Sequence, residues 1–178
     1  YRITTFPTTR RWHLTFVAFQ VVGGDVAEPQ MGMSDYDKET ICREVTVILH
    51  GAATTKFTEH IQTALRVNVL GVQNILQLAK KCLVLRSFVH ISTAYVNFPQ
   101  KNAGIVQELF TIARKKDRTP YPLLILIRFT HNSTNVNTIV QRILRMGRDE
   151  AHRHTTKLIE PYPNTYTYTK NLAENLIH

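Results

Sequence analysis

Val45-Thr46-Val47-Ile48-Leu49-His50-Gly51-Ala52-Ala53 joins a continuous apolar run of strand length to three small residues. A run without polar alternation over Val45–Leu49 predicts a strand buried on both faces, as in a parallel sheet with helices on either side. Gly51, Ala52 and Ala53 let a ligand approach the backbone just beyond the strand's carboxyl end, where open α/β sheets bind nucleotides. A tight turn that only packs on the next helix is the other reading of these three residues.

Toward the carboxyl terminus, Ile61, Leu65, Val69, Val72, Leu76 and Ala79 recur at helical spacing between Glu59 and Lys81. Gln62, Arg66, Gln73, Gln77 and Lys80 are predicted to face away from that stripe. Asn68 stands among the apolar positions, and a buried amide must find partners or lose a few kcal/mol. Ser87 to Ser92 predicts the next strand, ending at the hydroxyls of Ser92 and Thr93. In the other direction, Phe16 to Val22 reads as a buried strand that stops at the turn Gly23-Gly24-Asp25, and Ser34-Asp35-Tyr36-Asp37 opens a helix to about Glu44. Strands alternating with helices in this way predict a right-handed parallel crossover fold.

Pro163-Asn164-Thr165-Tyr166-Thr167-Tyr168-Thr169-Lys170 begins a further amphipathic helix, with Asn164 or Thr165 as cap and Leu172, Ala173, Leu176 and Ile177 on one side. Tyr166 and Lys170 then lie one turn apart on one face. A phenol titrates near ~10 in water and donates a proton poorly unless a nearby cation stabilises its phenolate. Lys170 is placed to be that cation. A tyrosine four residues before a lysine also arises by chance, so the pair carries little weight alone.

The chain of 178 residues predicts one domain over residues 1–178, and the net charge of +9 is unevenly spread. Residues 1–20 hold three arginines and no acid, and residues 111–155 hold nine Lys/Arg against Asp117, Asp149 and Glu150. The remainder balances to zero, so nucleic acid is not an expected partner. The basic segment at about 111–155 is atypical of the rest and is expected to pack poorly. Ile139 to Met146 could form a helix within it, and His152 and His154 read as part of a solvated basic loop. Cys42 and Cys82 stand in unrelated settings without metal-ligand spacing and read as reduced structural thiols. No metal site is expected. The longest apolar run, Leu123 to Ile127, is too short to span a bilayer.

Taken in order, His50-Gly51-Ala52-Ala53-Thr54, Asn68-Val69-Leu70-Gly71, His90-Ile91-Ser92-Thr93-Ala94-Tyr95 and Pro163 to Lys170 resemble the extended short-chain dehydrogenase/reductases. Ser92-Thr93-Ala94-Tyr95-Val96-Asn97 and Pro163 to Lys170 resemble the fatty acyl-CoA reductases in particular. The resemblance covers about residues 16–110 and 156–178. It implies an α/β fold with a doubly wound, Rossmann-like parallel sheet that is incomplete, because no Gly-rich phosphate turn with its first βαβ unit occurs among the seven glycines. It further implies NADPH as cofactor and a long-chain fatty acyl-CoA as substrate, reduced by two hydride transfers to a fatty alcohol.

The same resemblance implies the residue roles. Tyr166 would protonate the carbonyl oxygen, while Lys170 lowers the tyrosine's pKa and holds the nicotinamide ribose. Thr93, with Ser92 as second choice, would hydrogen-bond the reacting carbonyl. Asn68 would bend its helix and hold a water that links Lys170 to solvent. Asp25 and Val26 would contact the adenine, unless Asp25 only caps its own turn, and Gly51, Ala52 and Ala53 would line the cofactor. His90 reads as packed rather than catalytic. The implied location is intracellular, at a peroxisomal or endoplasmic reticulum membrane, with any attachment supplied by parts outside this chain; the oligomeric state is not addressed. The pattern reads as an internal piece of a longer reductase, or a truncated and altered gene product, inactive in isolation. Two other readings stand: another extended short-chain reductase or epimerase, and a non-catalytic basic fragment that binds polyanions.

Overall fold

The computed structural model describes residues 20–98 and 133–177. Two short parallel strands, β1 (Val47–His50) and β2 (Ser87–His90), form its sheet. Their register pairs Val47 with Ser87, Ile48 with Phe88, Leu49 with Val89 and His50 with His90. Between the strands runs the long helix that the apolar spacing predicts, built from α2 (Ile61–Leu65), a π turn (Arg66–Leu70) and α3 (Gly71–Ala79). Before β1 lies α1 (Asp35–Glu44), started by Ser34, whose hydroxyl accepts from the N–H of Asp37. This parallel strand–helix–strand unit is the expected α/β architecture, with two strands of the sheet among the described residues.

Strand burial differs from the expectation. Val47, Leu49 and Val89 are 51, 71 and 43 % exposed, whereas Phe88 is buried and Ile48 packs against its cluster. Side chains alternate across a strand, and the described helices cover one face only, so Val45–Leu49 is not buried on both faces here. Residues 16–19 lie outside the described residues, and residues 20–22, the end of the predicted first strand, are irregular.

The second departure is the basic segment. Residues 133–155 are helical rather than loosely packed: α4 (Ser133–Arg145), α5 (Arg148–Arg153) and α6 (Thr155–Ile159) follow one another closely. Val136, Val140 and Ile143 recur one turn apart and enter the same cluster as Ile61, Leu65, Val69, Ala151, Ile159, Tyr168 and Leu172. The charges of this segment project outward from an apolar stripe. His152 therefore sits on a helix and not in a loop, with its ring 5.9 Å from that of His60. Residues 111–132 lie outside the described residues. Gln62, predicted to face solvent, is buried and donates to the carbonyls of Ile143 (3.0 Å) and Met146 (2.9 Å), which closes the carboxyl end of α4.

α7 (Thr165–Ile177) is the central element, packed on α2, the π turn, α3, α4, α6 and the 3₁₀ turn Ala94–Asn97. Asn164 caps it, accepting from the N–H of Thr167 at 2.9 Å. Leu172 joins the α4 cluster, and Ala173 and Ile177 join a second cluster with Val72, Leu76, Ala79 and Phe88. Gly71 opens α3 because a Cβ there would stop 3.1 Å from the side chain of Val26. Cys42 and Cys82 are free but not in unrelated settings: burial first, and Cys42 next, push the Cys82 thiol up.

Candidate functional site

α7 carries threonines where a surface helix would carry charges, and each is used. Thr165 reaches the carbonyls of Phe57 (3.2 Å) and Glu59 (3.0 Å), pinning the loop after β1. Thr169 donates to Thr165 O at 2.8 Å and accepts from Asn68 Nδ2 at 2.9 Å. Asn68 also donates to Thr54 O (3.1 Å) and accepts from Thr54 N (2.8 Å). Both amide hydrogens of Asn68 are thus committed. Asn68 does sit in a distorted helix, since the N–H of Gly71 bonds to Arg66 O five residues back. Its side chain fastens the loop of Gly51, Ala52, Ala53 and Thr54 to α7.

Lys170, 2 % exposed, projects from α7 to the carboxyl end of β2. Its ammonium donates to Ile91 O at 2.5 Å and meets His90 Nε2 at 3.1 Å. His90 Nδ1 lies 2.8 Å from His50 Nδ1, their rings inclined by 23°. Burial lowers the Lys170 pKa to about 8, against a smaller upward pull from Glu174. Burial, with Lys170 second, lowers His50 to about 4; burial, Lys170 and His50 lower His90 to about 3. Both imidazoles are therefore neutral beside a cation. His90 is packed, as expected, but it is also bonded to the lysine, which the sequence reading did not foresee. The signal was present: histidine closes both strands at paired positions.

The two tyrosines in Tyr166-Thr167-Tyr168 differ in burial. Tyr168 is buried against Tyr162, with centroids 5.8 Å apart, and burial pushes its phenol up to about 12. Tyr166 is half-buried one turn before Lys170 and stacks on Phe57 at 5.7 Å and 24°. Of these two phenols, that of Tyr166 is on the more exposed residue. Thr93 opens the Ala94–Asn97 turn against α7, its hydroxyl 3.4 Å from Tyr95 N, and Ser92 Oγ is buried with no partner among the described residues. Gly51 and Ala52 are exposed at the end of β1, and a Cβ on Gly51 would stop 3.3 Å from Ile91 Cδ1.

Asp25 and Val26 belong to a different neighbourhood. Asp25 Oδ1 accepts from Ala27 N at 2.8 Å, the turn-capping geometry, and Asn74 on α3 donates to Val26 O (2.8 Å) and Glu28 O (3.0 Å). Gly24 is required there, since a Cβ would lie 2.8 Å from Met31 O. Among the described residues, no cluster of three or more His, Cys, Asp or Glu could hold a metal ion, and no helix is long and apolar enough to cross a membrane.

Comparison with known proteins adds an independent line. Residues 2–178 match a family of NAD-binding domains described as male sterility protein. Over 157 residues the chain is 32 % identical to the fatty acyl-CoA reductase wat of Drosophila melanogaster. It is 31 % identical over 156 residues to fatty acyl-CoA reductase 1 of Xenopus laevis and 28 % identical over 156 residues to fatty acyl-CoA reductase 1 of Homo sapiens. Each alignment takes in 88 % of this chain and 26 % of the relative. The chain thus spans about a quarter of the length of these relatives.

Proposed function

This chain belongs to the male sterility protein family of NAD-binding domains, and we propose that it forms part of an NADPH-dependent reductase of long-chain fatty acyl-CoA. The observation that carries the proposal is the buried ammonium of Lys170 at the carboxyl end of β2, one helical turn from the accessible Tyr166.

The residues at this end of the sheet fit the reactive part of a nicotinamide cofactor. Lys170 has three donors and commits two to protein, leaving one for a ribose hydroxyl or the Tyr166 oxygen. Gly51, Ala52 and Ala53 present little side-chain bulk beside it. Asp25 is exposed, and its contact with the adenine, like that of Val26, stays part of the proposal. When bound, the cofactor supplies hydride to the substrate carbonyl.

Everything else is chemistry of this chain. Tyr166 gives its proton to the carbonyl oxygen as charge develops there, and Lys170 stabilises the phenolate left behind. With its pKa near 8, Lys170 is still mostly charged at neutral pH. Thr93 orients the carbonyl oxygen; Ser92, whose hydroxyl has no partner among the described residues, is the second candidate. Asn68 keeps the loop after β1 in register with α7, so that Phe57 stays stacked on Tyr166. Reduction of the thioester releases coenzyme A, and the same groups serve the aldehyde in the second reduction.

The test is a chimera in which this chain replaces the matching quarter of the Drosophila reductase. It should consume NADPH on addition of a long-chain acyl-CoA and release fatty alcohol. Reduction of a sugar or ketone substrate with no response to acyl-CoA would instead support another extended short-chain reductase or epimerase.

A further inference from the structure

We propose that His90, oriented by His50, is a positioning residue for Lys170: the two imidazoles fix the ammonium at the end of β2, where it can serve Tyr166. This rests on reading Lys170 as the active lysine, and it names groups that neither the tyrosine–lysine spacing nor the family match assigns.

Elementary hydrogen-bond chemistry sets the direction of every bond in the chain. The Lys170 ammonium has donors only, so His90 Nε2, 3.1 Å away, must be the bare nitrogen. A neutral imidazole carries one proton, so His90 holds it at Nδ1 and donates to His50 Nδ1 at 2.8 Å. His50 in turn must carry its own proton at Nε2. That Nε2 is buried and finds no partner among the described residues. An unpartnered buried N–H is unfavourable, and the other side of the ring supplies the reason it is kept: Nδ1 has to stay bare to accept from His90.

Strand register makes the arrangement rigid. His50 and His90 are paired residues of a parallel ladder, 4 % exposed and half-buried respectively, so neither ring is free to turn away. Ile91 O takes a second ammonium hydrogen. The charged and titratable groups that interact with the amine are His50 from β1, His90 from β2 and Glu174 from α7 itself. A histidine that merely filled space beside Phe88 would need no particular tautomer.

The deciding measurement is long-range ¹H–¹⁵N correlation on histidine-labelled protein of this sequence. Expected are a proton on Nδ1 of His90 and on Nε2 of His50, with neither ring titrating between about pH 5 and 8. A proton on His90 Nε2, or free titration of either ring in that range, overturns the proposal. In His90→Phe the amine loses an acceptor, and the Lys170 midpoint, read from its ¹³Cε shift, should fall by about one unit. His90→Gln keeps an acceptor oxygen and should recover most of that fall. Equal midpoints in both variants, with equal thermal stability, would mean that packing alone explains His90. If His90→Phe does not fold, the tautomers of the unaltered protein still decide. These readouts need no turnover, so a chimera that fails to reduce acyl-CoA would count against the proposed function and leave the Lys170 assignment standing or falling on its own.

Discussion

Lys170 reaches from α7 to the carbonyl of Ile91 and the ring of His90, while Asp25 turns its carboxylate back to the N–H of Ala27 two residues on. Around Lys170 the polar atoms bridge elements far apart in sequence: Asn68 to Thr54 and Thr169, Thr165 to Phe57 and Glu59, His50 to His90. Around Asp25 the backbone mostly bonds within its own few residues, as from Asp25 N to Met31 O, and Asn74 is what ties the turn to α3. A neighbourhood cross-linked over long sequence distances holds its geometry before any ligand arrives, which is what a proton-transfer site needs. The Asp25 turn is joined to α3 by the two bonds of Asn74 and by Val26 against Gly71. Pre-organisation is therefore concentrated at the tyrosine–lysine end.

Tyr166→Phe in the chimera puts this contrast under the greatest strain. It removes the proposed proton donor while keeping the ring against Phe57, so NADPH affinity should hold and turnover should fall ~10²–10⁴-fold. Retention of more than about a tenth of the rate would mean that the pre-organised end is not the reacting end.

Asn68→Leu comes next, because it strips partners from the backbone N–H and C=O of Thr54 and from Thr169 at once. Unfolding by urea should show a loss of about 2 to 4 kcal/mol. A loss below about 1 kcal/mol would make the loop as loosely held as the Asp25 turn.

Acid should act on the same end. His50 and His90 have folded pKa values near 4 and 3, below the unfolded value of 6.5. Between those values the unfolded chain binds more protons, so the stability these rings contribute is complete above about pH 6.5 and is lost as pH falls toward 4 and then 3. Discounted for the partial exposure of His90, the drop from about pH 7 to about pH 5 should be about 2 kcal/mol, read from urea midpoints. His50→Phe should flatten that slope. The smallest effect belongs to Asp25→Ala, which removes one exposed turn bond and should cost about 0.5 to 1 kcal/mol. A larger loss would show that the Asp25 turn is tied to the core more firmly than its bonds indicate.

The sequence disclosed those elements whose ends and faces are written in local signals. Ser34 before two acidic residues starts α1, Asn164 caps α7, and the apolar stripe from Ile61 to Ala79 marks the long helix. β1 and β2 were readable as apolar runs, although β1 starts two residues later than its apolar run. The packing of the basic segment was not legible, because its charge density suggests a solvated stretch. In α4 the three residues that matter, Val136, Val140 and Ile143, are interleaved with Asn137, Gln141 and Arg142, and only a partner helix shows that three are enough. Gln62 and the two histidines share a different cause. Each is a polar residue whose partner lies 40 or more positions away, and no local pattern encodes such a meeting. Tyr166, Lys170, Thr93 and Asn68 were singled out because family wording names them; their partners had to be seen.

At Arg66–Leu70 the long helix closes a bond five residues back instead of four. Such a turn holds one residue more than an α turn, so the chain beyond it is set back by about 100° relative to an unbroken helix. Ile61, Leu65, Val69, Val72, Leu76 and Ala79 keep one spacing along the sequence, yet the first three enter the cluster of Val140 and Ile143 and the last three that of Phe88 and Ile177. One written stripe thereby serves two faces. Removing a single residue within the turn would leave an ordinary α-helix whose two halves still aim as they do now. Removing one from α3 between Val72 and Leu76 would swing Leu76 and Ala79 about 100° away from Phe88, although the chain is shortened by the same amount. The wide turn is the slack in the helix, and it marks the one place along these nineteen positions, Ile61 to Ala79, where the count of residues can change without changing what the two ends face.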